Sequence, residues 1–129
     1  MTVDHRIRVL IASRYGLFRI GLRALLENSM VFRVMGEANT TRQTVTLAKR
    51  LHPDVLIVDA GSRGLSAPDV SRLVKEAGLN LKIVVLTSTE EQVEDCLSAG
   101  ASACVRKSAR SESLKTAVYN ACKGRTFAA

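Results

Sequence analysis

Tryptophan is absent from these 129 residues, which hold only two Tyr and three Phe. So sparse an aromatic set argues against a surface on which nucleic-acid bases stack. Long apolar runs are missing as well. The apolar stretches are strand-length, far short of the roughly 20 residues a spanning helix needs, and Met1-Thr2-Val3-Asp4-His5-Arg6 lacks the apolar core of a signal peptide. A soluble cytoplasmic protein without membrane contact is expected. Cysteine is scarce and odd in number: Cys96, Cys104 and Cys122 show no C-x-x-C spacing. That excludes a disulfide framework and fits reduced thiols acting as small apolar fillers.

A formal charge of +7 raises the question of nucleic-acid binding, because clustered Lys and Arg neutralise phosphates. Here the bases are scattered. Arg6, Arg8, Arg14, Arg19, Arg23, Arg33 and Arg42 fall on several elements with no like-charge tract, so a solvated basic surface or a face for an acidic partner is the better reading. The length suits one domain with a core of its own.

Apolar runs of strand length alternate with segments of helical period. Ile7 to Ala12 predicts a first strand, and Leu17, Ile20, Ala24 and Leu25 predict a helix to about Glu27. Phe32 to Ala38 is a second strand. A helix from about Thr41 to Leu51 follows, capped by Thr40 or Thr41 and unable to continue past Pro53. Val55 to Asp59 is a third strand whose unbroken apolar character implies burial on both faces, as in a parallel sheet.

The second half repeats the alternation. Pro68 suits the first turn of a helix to about Glu76; Leu81 to Thr87 is a fourth strand, and Glu90 to Ala99 a helix closed by Gly100. Ala103 to Arg106 is a short fifth strand. Leu114, Ala117, Val118 and Ala121 then mark one stripe of a helix from about Ser111 to Lys123. Five strands alternating with five helices predict a doubly wound α/β fold with a five-stranded parallel sheet, occupying residues 1–124 and leaving 125–129 as the start of a linker or a tail.

Ligands of such folds gather beyond the carboxyl ends of the central strands. Those ends carry Ser13 and Arg14 after the first strand, Asp59 after the third, Thr87 and Ser88 after the fourth, and Lys107 after the fifth. A carboxylate, a hydroxyl and an ammonium converging from three strands suit phosphoryl chemistry: Asp59 as nucleophile, Lys107 pairing with added phosphate charge, and Thr87 donating to a phosphoryl oxygen. The first turn, Ser13-Arg14-Tyr15-Gly16, lacks the glycine pattern of a dinucleotide or P-loop site. A small-anion or nucleotide binding module using Arg14 and Lys107 therefore ranks behind phosphoryl chemistry.

These segments together resemble the receiver domains of two-component response regulators, most closely the NarL/FixJ (LuxR-type) branch, whose fold is flavodoxin-like. The resemblance runs through Ile7-Arg8-Val9-Leu10-Ile11-Ala12, Gly21-Leu22-Arg23-Ala24-Leu25-Leu26, Gly36-Glu37-Ala38, Pro53-Asp54-Val55-Leu56-Ile57-Val58-Asp59, Val84-Val85-Leu86-Thr87 and Ala99-Gly100-Ala101-Ser102 leading to Lys107. It implies that Asp59 is the phosphoacceptor, Thr87 the switch hydroxyl and Lys107 the phosphoryl contact. It also implies a histidine kinase as donor and self-association through the first, fourth or fifth helix.

The departures matter as much. The family's acidic pair after the first strand is replaced by Ser13 and Arg14, and Cys104 stands where an aromatic residue often accompanies the switch. Mg²⁺ demands octahedral oxygen coordination and draws on carboxylates, so Asp59 alone makes a poor metal site and weak or absent Mg²⁺ binding is expected. No other cofactor, metal ligand or separate catalytic residue is assigned, and the module is not expected to be an enzyme. Arg14 has two possible placements: an ion pair with Asp59 in place of the dication, or solvent. Ser62-Arg63 replaces the usual Met-Pro after Asp59, which should leave that loop more adaptable, with Gly64 kept at the turn.

Two functions follow from the resemblance. One is an atypical receiver with impaired Mg²⁺-dependent phosphorylation; the alternative is a working receiver phosphorylated at Asp59. The ending resembles the start of a linker, so the chain is expected to be the regulatory half of a transcriptional regulator that touches DNA only through an output domain beyond it.

Overall fold

The computed structural model describes residues 4–88, 97, 100–124 and 127–128. In chain order the elements are β1 (Ile7–Ala12), α1 (Gly16–Glu27), β2 (Phe32–Ala38), α2 (Thr41–Leu51), β3 (Val55–Asp59), α3 (Ala67–Glu76), β4 (Lys82–Thr87), β5 (Ala103–Arg106), α4 (Ser111–Cys122) and β6 (Phe127–Ala128). All strand pairs are parallel, in the order β2-β1-β3-β4-β5-β6. The expected five-stranded parallel sheet is therefore present, and a two-residue sixth strand extends its edge from residues assigned to the linker or tail. Four helices stand among the described residues; the helix expected over 90–99 lies outside them except at residue 97, and Cys96 lies outside them as well.

The sheet divides two cores. Leu22 and Leu26 of α1 and Leu114, Ala117, Val118 and Ala121 of α4 pack on one face with Val9, Ile11, Ile57 and Val105. On the other face, Ala48 of α2 and Val70 and Val74 of α3 pack against Leu10, Leu56, Val58 and Val85. Every residue of β3 is buried, as its unbroken apolar run requires. Alternation along β1 and β3 sends successive side chains to opposite cores.

One break in that alternation matters for the site. The β1–β2 register runs Val9↔Val34 and then Leu10↔Gly36, so Met35 is an extra residue in β2. A bulge shifts the two-residue period by one. Phe32 and Val34 face the α1 core, and beyond the bulge Glu37 takes that side while Ala38 turns to the other. A Cβ on Gly36 would lie 3.2 Å from Leu51 Cδ1, so the close seating of α2 favours glycine there.

Helix ends follow local chemistry. Of the two candidate caps for α2, Thr40 accepts from the Gln43 N–H at 3.1 Å. His52 closes the helix in the left-handed region at φ 48°, and the Arg8 guanidinium donates to the carbonyl oxygens of Leu51 and His52. Ser66 caps α3, with Pro68 in its first turn. Cys104 is buried in the α2–α3 core, and Cys122 packs against the other, where burial pushes its thiol pKa up. Both placements accord with the apolar-filler expectation.

Candidate functional site

The carboxyl ends of β1, β3, β4 and β5 bring four predicted residues together. Ser13, Asp59 and Thr87 are buried, and the Lys107 side chain reaches them from a half-exposed position. Lys107 Nζ lies 2.8 Å from Asp59 Oδ1, and the Ser13 hydroxyl donates to Asp59 Oδ2 at 2.8 Å. The Gly61 N–H adds a third donor at 3.2 Å from Oδ1. A buried carboxylate would be strongly penalised without such partners. Here one ammonium and two neutral donors compensate it.

Thr87 differs from its neighbours. Its Oγ1 is buried and has no hydrogen-bond partner among the described residues, an arrangement that costs about 1–3 kcal/mol. The backbone around it is secured, since the Lys107 N–H donates to the Thr87 carbonyl at 2.8 Å. A hydroxyl is thus held at the end of β4 with donor and acceptor capacity unused.

Of the two placements offered for Arg14, the structure has the solvent-facing one. The side chain is exposed, and no hydrogen bond or ion pair joins its guanidinium to Asp59 among the described residues. Its backbone instead donates to the Ser62 hydroxyl at 2.5 Å. Ser62 is buried, and its N–H donates to the Asp59 carbonyl at 3.2 Å. Ser62, beside the Arg63 that stands in the proline's place, is thus a strut that ties the loop after β3 to the loop after β1. Gly64 adopts φ +79° at the turn, as its retention implied.

Several participants were not singled out from the sequence. The Arg19 guanidinium donates to the Ser13 carbonyl at 2.5 Å and to Glu37 Oε1 at 3.0 Å, and Arg23 pairs with the other Glu37 oxygen at 3.1 Å. The β2 bulge puts Glu37 on the α1 side to receive both. Lys107 Nζ sits 4.6 Å from the centre of the Phe18 ring and 5.5 Å from that of Tyr15, within cation–π range. Gly61 closes the site: a Cβ there would come 3.2 Å from Ser88 Oγ, 3.7 Å from Asp59 Oδ1 and 3.9 Å from Lys107 Nζ. The available signals were the spacing of Arg19 and Arg23 on one helix face and a glycine two residues past the acid.

A family model of the response regulator receiver domain matches residues 9–119. The chain belongs to this family. Its relatives include the transcriptional regulatory protein LiaR of Bacillus subtilis, 32% identical over 92% of this chain and 57% of that protein. The nitrate/nitrite response regulator NarP of Escherichia coli is 30% identical over 91% of this chain and 55% of that protein. The chain thus spans about half the length of these relatives. Among solved structures, the signal receiver domain of the putative response regulator NarL from Mycobacterium tuberculosis superposes with a TM-score of 0.87 at 26% identity, covering 94% of this chain and 99% of that one. Resemblance to the NarL/FixJ branch, read from the motifs, is borne out.

Receiver chemistry commonly uses Mg²⁺, and the donor set can be compared with that ion's needs. Among the described residues Asp59 is the one carboxylate in the cluster, and both its oxygens already accept hydrogen bonds, one from a cation. Glu37 lies nearby only through Arg19, and two guanidiniums occupy it. No group of three or more His, Cys, Asp or Glu able to hold a metal occurs among the described residues. Mg²⁺ prefers near-octahedral oxygen coordination with carboxylates and waters. These side chains do not fit it. No helix among the described residues is long and apolar enough to cross a membrane.

Proposed function

We propose that this receiver is an atypical regulatory module, whose conformation is set by something other than Mg²⁺-dependent phosphorylation. The observation that carries the proposal is the state of Asp59, already neutralised by Lys107 at 2.8 Å and held by Ser13 at 2.8 Å. A hydroxyl stands where the resemblance calls for a metal-binding acid, and Arg14 extends into solvent. The ammonium supplies fixed charge without the dication, so a phosphodonor meets a paired carboxylate and no Lewis acid. Because relatives such as LiaR are described as transcriptional regulatory proteins, the module is proposed to govern an output domain that contacts DNA. The proposal extends to a homodimer.

Incubation with acetyl phosphate and Mg²⁺, followed by intact-mass measurement, tests this reading. The expected result is an unmodified chain; stoichiometric gain of one phosphoryl group on Asp59 overturns it. That opposite result would establish the second reading, a receiver phosphorylated by a histidine kinase. One observation favours the second reading specifically. The Thr87 hydroxyl, without a hydrogen-bond partner among the described residues, would donate to a phosphoryl oxygen on Asp59, and Lys107 would pair with the added charge.

A further inference from the structure

Between α1 and α4 lies a groove of about 310 Å³ that the Asp59 cluster leaves unused. Leu22 and Leu25 of α1 and Leu114 of α4 form its sides, with Leu86 and Val105 behind them. Lys107 and Arg106 give it cationic lining, and no lining residue among those described is acidic. The volume lies at the lower end of the range for small-molecule sites, which combine apolar walls with a few placed polar groups. An ammonium has three N–H donors. Asp59 takes one of them, and Lys107 is still 26% exposed.

We propose that this groove binds a small amphipathic carboxylate, its apolar tail between Leu22, Leu25 and Leu114 and its acid group on Lys107. Charge selects the occupant: an apolar slot with a cationic end and no carboxylate in its wall favours an organic anion over a neutral or cationic molecule of equal size. Lys107 then belongs to two sites. An anion in the groove competes with Asp59 for one ammonium, so occupancy and the state of Asp59 are linked, each altering the other by the same factor.

The structure supplies a variant that fills the groove without strain. Gly21 lines it, and nothing lies within 4 Å of a Cβ built there, so Gly21→Leu should occupy the slot while removing a helix-weakening glycine. The test is titration of the ¹⁵N-labelled chain with octanoate, octanol and acetate, following the amides of Leu25, Val105 and Ala109. Octanoate should shift these amides saturably and acetate should not. Lys107→Met should weaken octanoate about tenfold and leave octanol unchanged, the size of one charge-assisted contact, and Gly21→Leu should abolish binding while keeping the thermal midpoint. Failure of octanoate to bind, saturation of the same amides by acetate, undiminished octanoate affinity in Lys107→Met or retained binding in Gly21→Leu would each overturn the proposal.

Discussion

Breaking the Lys107–Asp59 pair has unequal consequences depending on which partner is removed. Asp59 is fully buried, whereas Lys107 is partly solvated and rests against two aromatic rings. Lys107→Met strands a carboxylate with only neutral donors and should cost about 1–3 kcal/mol, below the 3–5 kcal/mol of a wholly buried pair. Asp59→Asn should stay within about 1 kcal/mol of the parent, and the double variant should cost less than the sum. Urea titration of the four proteins measures this cycle. Additive losses would show that the two groups do not interact.

Ser13 carries the second prediction at this scale. Ser13→Asp sets a second carboxylate against Asp59, where the hydroxyl now donates at 2.8 Å. It should lower stability by about 1–3 kcal/mol without metal, and Ser13→Asp with Arg14→Asp should gain Mg²⁺ affinity visible by calorimetry. No gain would count against loss of those acids as the cause of weak metal binding. Much of this constellation was legible because Asp59, Thr87 and Lys107 end apolar runs in a repeating pattern. The direction of Arg14 was not, since a loop side chain has no periodicity. Ser62 was hidden for a related reason: a hydroxyl's value as a strut depends on which loop faces it in space.

At the scale of elements, α2 shows how local chemistry and distant contacts combine. His52 ends the helix in the left-handed region, which costs a non-glycine residue roughly 1–2 kcal/mol. His52→Gly should therefore stabilise the protein by about 0.5–1 kcal/mol in thermal or urea melts. The carbonyls that Arg8 holds belong to the backbone and remain; a loss of stability would mean that the imidazole contributes more than the strained φ costs. Element positions were readable to within a residue or so from period and caps. The β2 bulge was not, because Met35 and Gly36 differ little from ordinary strand residues until β1 is alongside.

For the whole molecule, the doubly wound plan was legible because strands and helices alternate in a fixed rhythm, and the parallel sheet follows from that order. Association is a property of the outer surface, where sequence cannot separate exposed from buried stripes. On α1, Leu17 is 86% and Ile20 61% exposed, two large apolar side chains on the outer surface of a helix whose other face is core. If the proposed homodimer uses this face, the parent should sediment as a dimer at micromolar concentration and Ile20→Glu as a folded monomer. A parent that stays monomeric throughout excludes the dimer.

The bulge at Met35 divides β2 into two stretches answerable to different neighbours. Val34 before it packs with α1 and α4, while Ala38 after it packs with α2 and α3. Substitutions at even-numbered positions are therefore felt on opposite sides of the sheet before and after the bulge. Were Met35 taken into a regular ladder instead of bulging, strict alternation would carry Glu37 to the α2 side, away from Arg19 and Arg23, and unhook the arginine that holds the Ser13 carbonyl. The bulge thus acts as a one-residue offset, and where the chain absorbs that extra residue sets the geometry around Ser13.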